Sequence, residues 1–456
     1  MIKRSFDTVR RLASDQDVRT LAGGSILTLV IKVCSAGLTY LMFVLFARVM
    51  TTQAFGEFSV GFNIGTLFAV FASLGAHVGI TRWWPEYLGT ERPALAQRVL
   101  YWGMKVTLAG SLAATGILAL AGFGLTAFWD SEMSYLVFAA LLVAPIAFAE
   151  YFGNALRAQG SVIASQVPKD LAWRIICCLV AIGCSWLLWP MTAWQGLALL
   201  SGVLAMLILF QFIYLYRRSG PPASLKAANR DEGEQVAVWK GTMRPLWGVA
   251  VLHAFVQCVD VPIVGIYLSP EAAGEYFAVV RTANLMGLML VASTMICAPL
   301  ISKYVHMGDI ATLQRLLRVV SLIIAVPTVA AYALVVVLGK WLLGLFDPAF
   351  VTGYPALVVL GFGHTLNALC GAVGYTLMLS GHEGTYFRIM VISYAGVLLF
   401  QLIAIPTIGI IGAAFGSTIG MIVWNMWARH VAVRQVGIDS TVFCLFIRSK
   451  ARRPAI

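Results

Sequence analysis

The chain has 456 residues, of which 60% are hydrophobic and only 11% charged, with a mean hydropathy of +0.85. Soluble domains carry about a quarter of their residues as charges, so a water-soluble globule is excluded and a polytopic membrane protein remains. The net charge of +12 calls for no nucleic-acid partner, because basic loops lying against anionic lipid account for it.

A hydrocarbon core of about 30 Å needs about 20 apolar residues per helix. Twelve runs meet that length, near 21–47, 57–80, 99–122, 134–156, 171–190, 195–216, 245–268, 276–300, 315–338, 354–380, 386–406 and 410–432. They are continuously apolar rather than alternating, which favours helices over a barrel. The expected fold is therefore all-α, with twelve transmembrane helices in two six-helix bundles around a central cavity. Residues 1–20 read as a basic amphipathic lead-in, 21–216 as the first bundle, 217–244 as a linker rich in Pro, Gly and charge, 245–432 as the second bundle and 433–456 as a basic tail. Six spans is an even number, so the second bundle re-enters from the same side and the repeats are parallel.

Charge sets the expected orientation. With the amino terminus inside, 27 of the 32 Lys and Arg fall on inner segments, two (Arg48, Lys340) on outer loops and three (Lys32, Lys105, Arg281) within spans. That bias places both termini in the cytoplasm. Tryptophans agree, Trp83, Trp84, Trp239 and Trp247 gathering near inner ends and Trp186, Trp189 and Trp341 near outer ones. Seven of the eight cysteines lie within spans without metal-ligand spacing, and they read as small apolar fillers.

The halves are related in sequence. TTQAFGEF (51–58) aligns with SPEAAGEY (269–276) at an offset of 218, Gln97 and Arg98 with Gln314 and Arg315 at 217, and GNALRAQG (153–160) with GYTLMLSG (374–381) at 221. Three matches in one order at nearly one offset indicate duplication.

Ionised groups near the bilayer centre are costly, about 2.5 to 3.5 kcal/mol each on insertion scales, so each needs a reason. Lys32, Arg281 and Lys105 read as cavity cations for an anionic headgroup. Asn63, Asn284, Asn367 and His364 read as polar cavity lining. Asp260 beside Pro262, Glu150 and His253 read as candidates for proton or sodium coupling. Arg174 and Glu150 are placed near inner span ends, Asn63 aligns with Arg281, and three cations against two anions lean the pathway positive. No loop carries a nucleophile elbow, a phosphate-binding loop, a metal-ligand spacing or a catalytic carboxylate pair, so the expectation is a transporter without a cofactor.

The turn LSPEAAGEYFAVVRTANL, its weaker partner MTTQAFGEFSVGFNIG, the GYTLMLSGHEG near the end of the tenth span and the six-plus-six layout resemble the polysaccharide transporter family. These are the lipid-linked oligosaccharide flippases of the multidrug, oligosaccharidyl-lipid and polysaccharide exporter superfamily. The resemblance implies a V-shaped pair of bundles alternately open to each side. It implies transfer of an undecaprenyl-pyrophosphate-linked sugar unit to the outer leaflet of a bacterial cytoplasmic membrane, and polysaccharide polymerase or export partners. It also implies cavity cations on the first and eighth spans, where Lys32 and Arg281 stand. Two other readings remain open: a drug/cation antiporter of the same superfamily, which would lean acidic, and a membrane glycan polymerase or ligase, which would carry a long outer loop with paired Arg or His.

Overall fold

The computed structural model describes residues 16–129, 134–220, 231–288 and 307–442, with scattered residues between. The parts of the lead-in, linker and tail at 1–15, 221–230 and 443–456 lie outside the described residues. The chain is helical throughout its described length. In order the helices are α1 (Gln16–Val49), α2 (Thr52–Ala72), α3 (Ala76–Gly89), α4 (Pro93–Trp129), α5 (Ser134–Ala158) and α6 (Val162–Gln166). A π-helical segment (Val167–Ala172) joins α6 to α7 (Trp173–Trp186), and α8 (Ala193–Ser219), α9 (Asp231–Cys258), α10 (Asp260–Tyr267) and α11 (Pro270–Asn284) follow. After α12 (Ile310–Phe346) a 3-10 turn (Pro348–Gly353) leads to α13 (Tyr354–Cys370), α14 (Val373–Leu379), α15 (Glu383–Ile408) and α16 (Ile410–Val431). Among the described residues nine helices are long and apolar enough to cross a membrane, and a tenth if α9 and α10, bent by 44° at Val259, count as one.

Two compact units emerge, Gly37–Gly274 and Met1–Ala36 with Glu275–Ile456. The first owes its packing to small residues and to aromatics. Ala69, Ala72, Ala114, Ala139, Ala140 and Ala147 form one buried cluster, the close backbone approach that helix pairs use where water supplies no drive to associate. A second cluster joins Trp83, Trp84, Tyr87, Tyr151 and Phe152 to Trp239 and Met243 of α9. Trp239 donates to the Tyr87 hydroxyl at 2.7 Å, and Trp247 to the Phe71 carbonyl at 3.2 Å.

Those contacts correct two expectations. Residues 231–244, expected as linker, are helix anchored by buried Trp239, and α9 packs within the first unit. Trp83, Trp84 and Trp239 are core side chains rather than interfacial anchors, because the Trp239 N–H finds a buried partner in Tyr87; Trp186, Trp189 and Trp341 remain exposed.

The duplicated motif also meets itself inside this unit. Any Cβ at Gly56 would fall on the backbone of Pro270, and one at Gly274 would stand 3.1 Å from the backbone of Gly56. The start of α2 and the start of α11 thus cross at their glycines.

In the second unit, Ile438 is fully buried among Leu313, Leu316, Leu317, Cys297, Ile301 and Tyr304. The chain beyond α16 turns back at Gly437 (φ 75). There Gln314 donates to the Asp439 carbonyl at 2.6 Å and accepts from its N–H at 2.8 Å, while Arg429 grips the Asp439 carboxylate at 2.7 Å.

Candidate functional site

Four charged side chains of the first unit meet where α5 packs against the helix that follows it. α6, the π segment and α7 form an unbroken helical run, so this helix begins near Val162 rather than at 171 as expected. Pro168 is the reason for the difference. A proline inside a helix removes the bond to the carbonyl four residues back, and here that carbonyl, of Ala164, accepts instead from Gln211 at 2.9 Å. The wider π turn takes up the ring. Lys169, Asp170 and Arg174 therefore lie about 10 to 18 Å along this helical run at 1.5 Å per residue.

Lys169 donates to Glu150 at 2.7 Å, and Arg174 stands 3.9 Å from Asp170. Arg174 is held on three sides: Nε donates to Thr39 Oγ1 at 2.5 Å, and Nη1 to the carbonyls of Lys169 at 2.7 Å and Asp170 at 2.8 Å. His77 at the start of α3 interacts with the charges of both Glu150 and Lys169. Paired in this way, the charges offset part of the desolvation penalty that a lone one would carry in full. Glu150 and Arg174, expected near inner span ends, are thus brought into one ion-paired cluster.

The other expected site residues are distributed as follows. Lys32 is half-buried on α1, and Arg281 is half-buried in the last turn of α11, its guanidinium 4.4 Å over the Phe277 ring. Both belong to the second unit. Stacking on the ring face leaves the guanidinium edge to point its donors elsewhere. Lys105 is exposed on α4, which begins at Pro93, so this lysine is about 18 Å along its helix rather than near its start. Asn63 is packed in the interior, and its amide donates to the Ser59 carbonyl one turn back at 2.8 Å. That bond serves the helix itself and presents no open polar face.

Asn284 is exposed at the end of α11 and His253 is exposed on α9, while Asp260 is half-buried in the first turn of α10 after the 44° bend. Asn367 accepts from Asn425 at 2.8 Å, Asn425 donates also to the Met421 carbonyl at 2.7 Å, and His364 lies half-buried one turn from Asn367. The structure thus brings Glu150 to Lys169 and Asn367 to Asn425, and leaves Lys105, Asn284 and His253 on exposed faces. Lys169, Asp170, His77 and Asn425 were not singled out from sequence; the i,i+4 spacing of Asp170 and Arg174 was the available signal.

Helices of this order and packing, with no strand among the described residues, make an all-α fold of membrane-spanning length and composition. The fold is similar to an inward-facing multidrug resistance MATE family transporter of the MOP superfamily, at 13% identity over 88% of this chain and 95% of that one, with TM-score 0.74. It is similar also to the lipid II flippase MurJ in an inward closed conformation, at 15% identity, 90% and 87% coverage and TM-score 0.61. A third likeness is to a MOP superfamily transporter from Pyrococcus furiosus Vc1, at 13% identity, 91% and 95% coverage and TM-score 0.60. By sequence no curated protein matches. Residues 21–305 match the model of the polysaccharide biosynthesis protein family, and the chain belongs to that family. It is a multi-pass membrane protein of the polysaccharide biosynthesis family.

Proposed function

We propose that the protein moves an undecaprenyl-pyrophosphate-linked oligosaccharide from the cytoplasmic to the periplasmic leaflet of a bacterial inner membrane, by alternating access, with both termini in the cytoplasm. The observation that carries this reading is the excess of cations placed within helices of a polysaccharide biosynthesis family member: Lys32, Arg281 stacked on Phe277, and Lys105. A pyrophosphate bears the opposite charge, and moving it unaided through hydrocarbon is slow because the ionised group must shed its water. In the alternating cycle Lys32 and Arg281 hold the pyrophosphate, amides such as Asn284 and Asn367 meet the sugars, and the prenyl tail stays in lipid. Polymerase or export proteins would take the product. The fold likeness to a multidrug transporter supports a second reading as a drug/cation antiporter, which would depend on acidic groups such as Asp260 in place of the cations.

The deciding experiment replaces the two cations in cells that display the glycan. K32A and R281A are expected to abolish surface glycan with the protein still in the membrane, and D260N to leave it. Wild-type glycan in both cation variants would remove the pyrophosphate assignment. Reporter fusions after residues 50, 270 and 345 are expected outside, and those after 90, 230 and 440 inside.

A further inference from the structure

The interior cluster of the first unit has no part in holding a pyrophosphate on Lys32 and Arg281. Its two carboxylates, Glu150 and Asp170, face two cations, Lys169 and Arg174, and the set is balanced when His77 is neutral. In surroundings of low dielectric a balanced set holds together. One added proton leaves a full uncompensated charge, which the bundle must answer by repacking.

The two pairs are not equivalent. Arg174 is fixed by Thr39 and by the carbonyls of the π turn, and Asp170 is buried. Lys169 makes one hydrogen bond among the described residues, to Glu150. Its stem passes over Gly153, where a Cβ would stand 3.1 Å from Lys169 Cε. The side chain of Glu150 is 45% exposed against 14% for Lys169. Glu150 lies eight residues before Ala158, the end of α5, or about 12 Å along the helix. An ionised carboxylate at that depth is not left half open to acyl chains, so its exposed edge meets water. His77 Nδ1 is buried and has no hydrogen-bond partner among the described residues, which is the place of an ordered water.

From this geometry we infer that Glu150 is the proton-exchange group of the transporter, with Lys169 as its counter-ion and His77 as the group that passes the proton on. A proton arriving through water at the exposed edge forms one O–H bond on the carboxylate, and the hydrogen bond from Lys169 is given up. Deprotonation restores the pair. No electrons move. The charged and titratable groups bearing on Glu150 include His77 from α3, Lys169 from the π turn and Arg174 from α7. Of the other helices packed on α5, α6 has no charged residue, and α4 carries Arg98, half-buried near its start, and Lys105 on an exposed face. The charges of α8, Arg217 and Arg218, are confined to its last turn, and Glu57 of α2 to its first two turns. The inference rests on the transporter reading, and it assigns coupling to the proton and to Glu150 rather than to Asp260 or His253.

The test uses the full chain, in detergent and then in liposomes. The infrared difference spectrum between about pH 5 and about pH 8 is expected to contain a carboxylic acid band that vanishes in E150Q, persists in D260N and titrates at a displaced midpoint in K169Q. A band that survives in E150Q, or a midpoint that K169Q leaves in place, overturns the assignment. If E150Q does not fold, K169Q and H77Q, each expected to displace the midpoint, decide it. In liposomes carrying a fluorescent undecaprenyl-pyrophosphate-linked sugar, a proton gradient is expected to raise wild-type flipping about tenfold, and E150Q to lose that gain. Wild-type protein that never flips the probe sinks the flippase reading, with the proton site still decided by the spectrum. E150Q that keeps the response sinks the proton site alone.

Discussion

In the first repeat Gln97 reaches from α4 to the Ser219 carbonyl at 2.6 Å, just where the chain leaves α8; in the second, Gln314 reaches from α12 to the Asp439 carbonyl at 2.6 Å, just past α16. The motif glutamates behave alike too. Glu57 interacts with Tyr135 at the start of α5, and Glu275 accepts from Thr352 just before α13. The interiors differ. Where the first repeat joins Glu150 to Lys169 and Asp170 to Arg174 as ion pairs, the second pairs neutral amides, Asn367 with Asn425, and Gln401 with the Ser417 hydroxyl at 3.1 Å. Contacts made to backbone at helix ends fix the bundle geometry and survive duplication, whereas interior side chains answer to what each half does.

The largest effect expected is at the glycine crossing, where the repeats should prove unequal. A methyl at Gly56 falls on the Pro270 backbone, which cannot yield without moving α11, while a methyl at Gly274 stands 3.1 Å from its nearest neighbours and needs a shift of a few tenths of an ångström. Overpacking typically costs 1 to 3 kcal/mol, so G56A is expected to lose about 3 kcal/mol and G274A less than about 1, part of it offset by the better helix propensity of Ala. Thermal unfolding in detergent measures both. Equal losses would mean that the crossing is looser than this geometry.

Charge against amide comes next. K169M leaves the Glu150 carboxylate without its counter-ion; removing one partner of a buried pair costs about 3 to 5 kcal/mol, and the 45% exposure of Glu150 reduces that to about 2 kcal/mol. N425L removes the donor to Asn367 and to the Met421 carbonyl and is expected to cost about 1 kcal/mol. The sharper sign is the double variant: E150Q with K169M should recover much of the loss of K169M alone. N367L with N425L should likewise be milder than the sum, but with no dependence on pH. A K169M loss that E150Q fails to relieve would show that the pair is not the source.

Much of this was legible from residue order alone, and the exceptions have physical causes. Class, helical content and the duplication follow from apolar runs and from the GE[FY] motif, since hydrocarbon leaves a chain few choices. Lys169 was hidden because Pro168 reads as a helix boundary and its π turn has no sequence signature. The same error put Arg174 at an interface. Trp239 was hidden because its Tyr87 partner lies 152 residues away, and so the helix 231–244 read as linker. Asn63 read as cavity lining because its bond to Ser59 depends on rotamer, not on residue type.

A smaller pair of changes tests the joints themselves. Q97L and Q314L each remove a half-buried side-chain bond to backbone, worth about 1 kcal/mol net. Q314L should cost more, because Gln314 both donates to and accepts from Asp439 whereas Gln97 only donates to Ser219. Identical losses would mean that Arg429 alone sets the position of Asp439.

The smallest effect concerns how the two equivalent helices begin. α4 opens on Pro93, whose missing N–H is harmless in a first turn, and it has no acidic residue there. α12 opens on Asp309, whose carboxylate accepts from the Thr312 N–H at 3.0 Å. Hydrogen bonds from Thr312, side chain first and backbone second, hold the Asp309 carboxyl below its ordinary value of 3.8. A depressed carboxyl adds stability that is present above its unfolded value and disappears as pH falls through the folded one. Only the second repeat has this cap, so only its first helix turn should loosen in acid. The melting temperature of D309N is expected slightly below wild type at about pH 6 and to converge with it by about pH 3. The group is fully exposed, so the separation should be the least of those named here. A gap that persists in acid would mean that Asp309 acts through packing, and the two helix starts would then differ in shape rather than in charge.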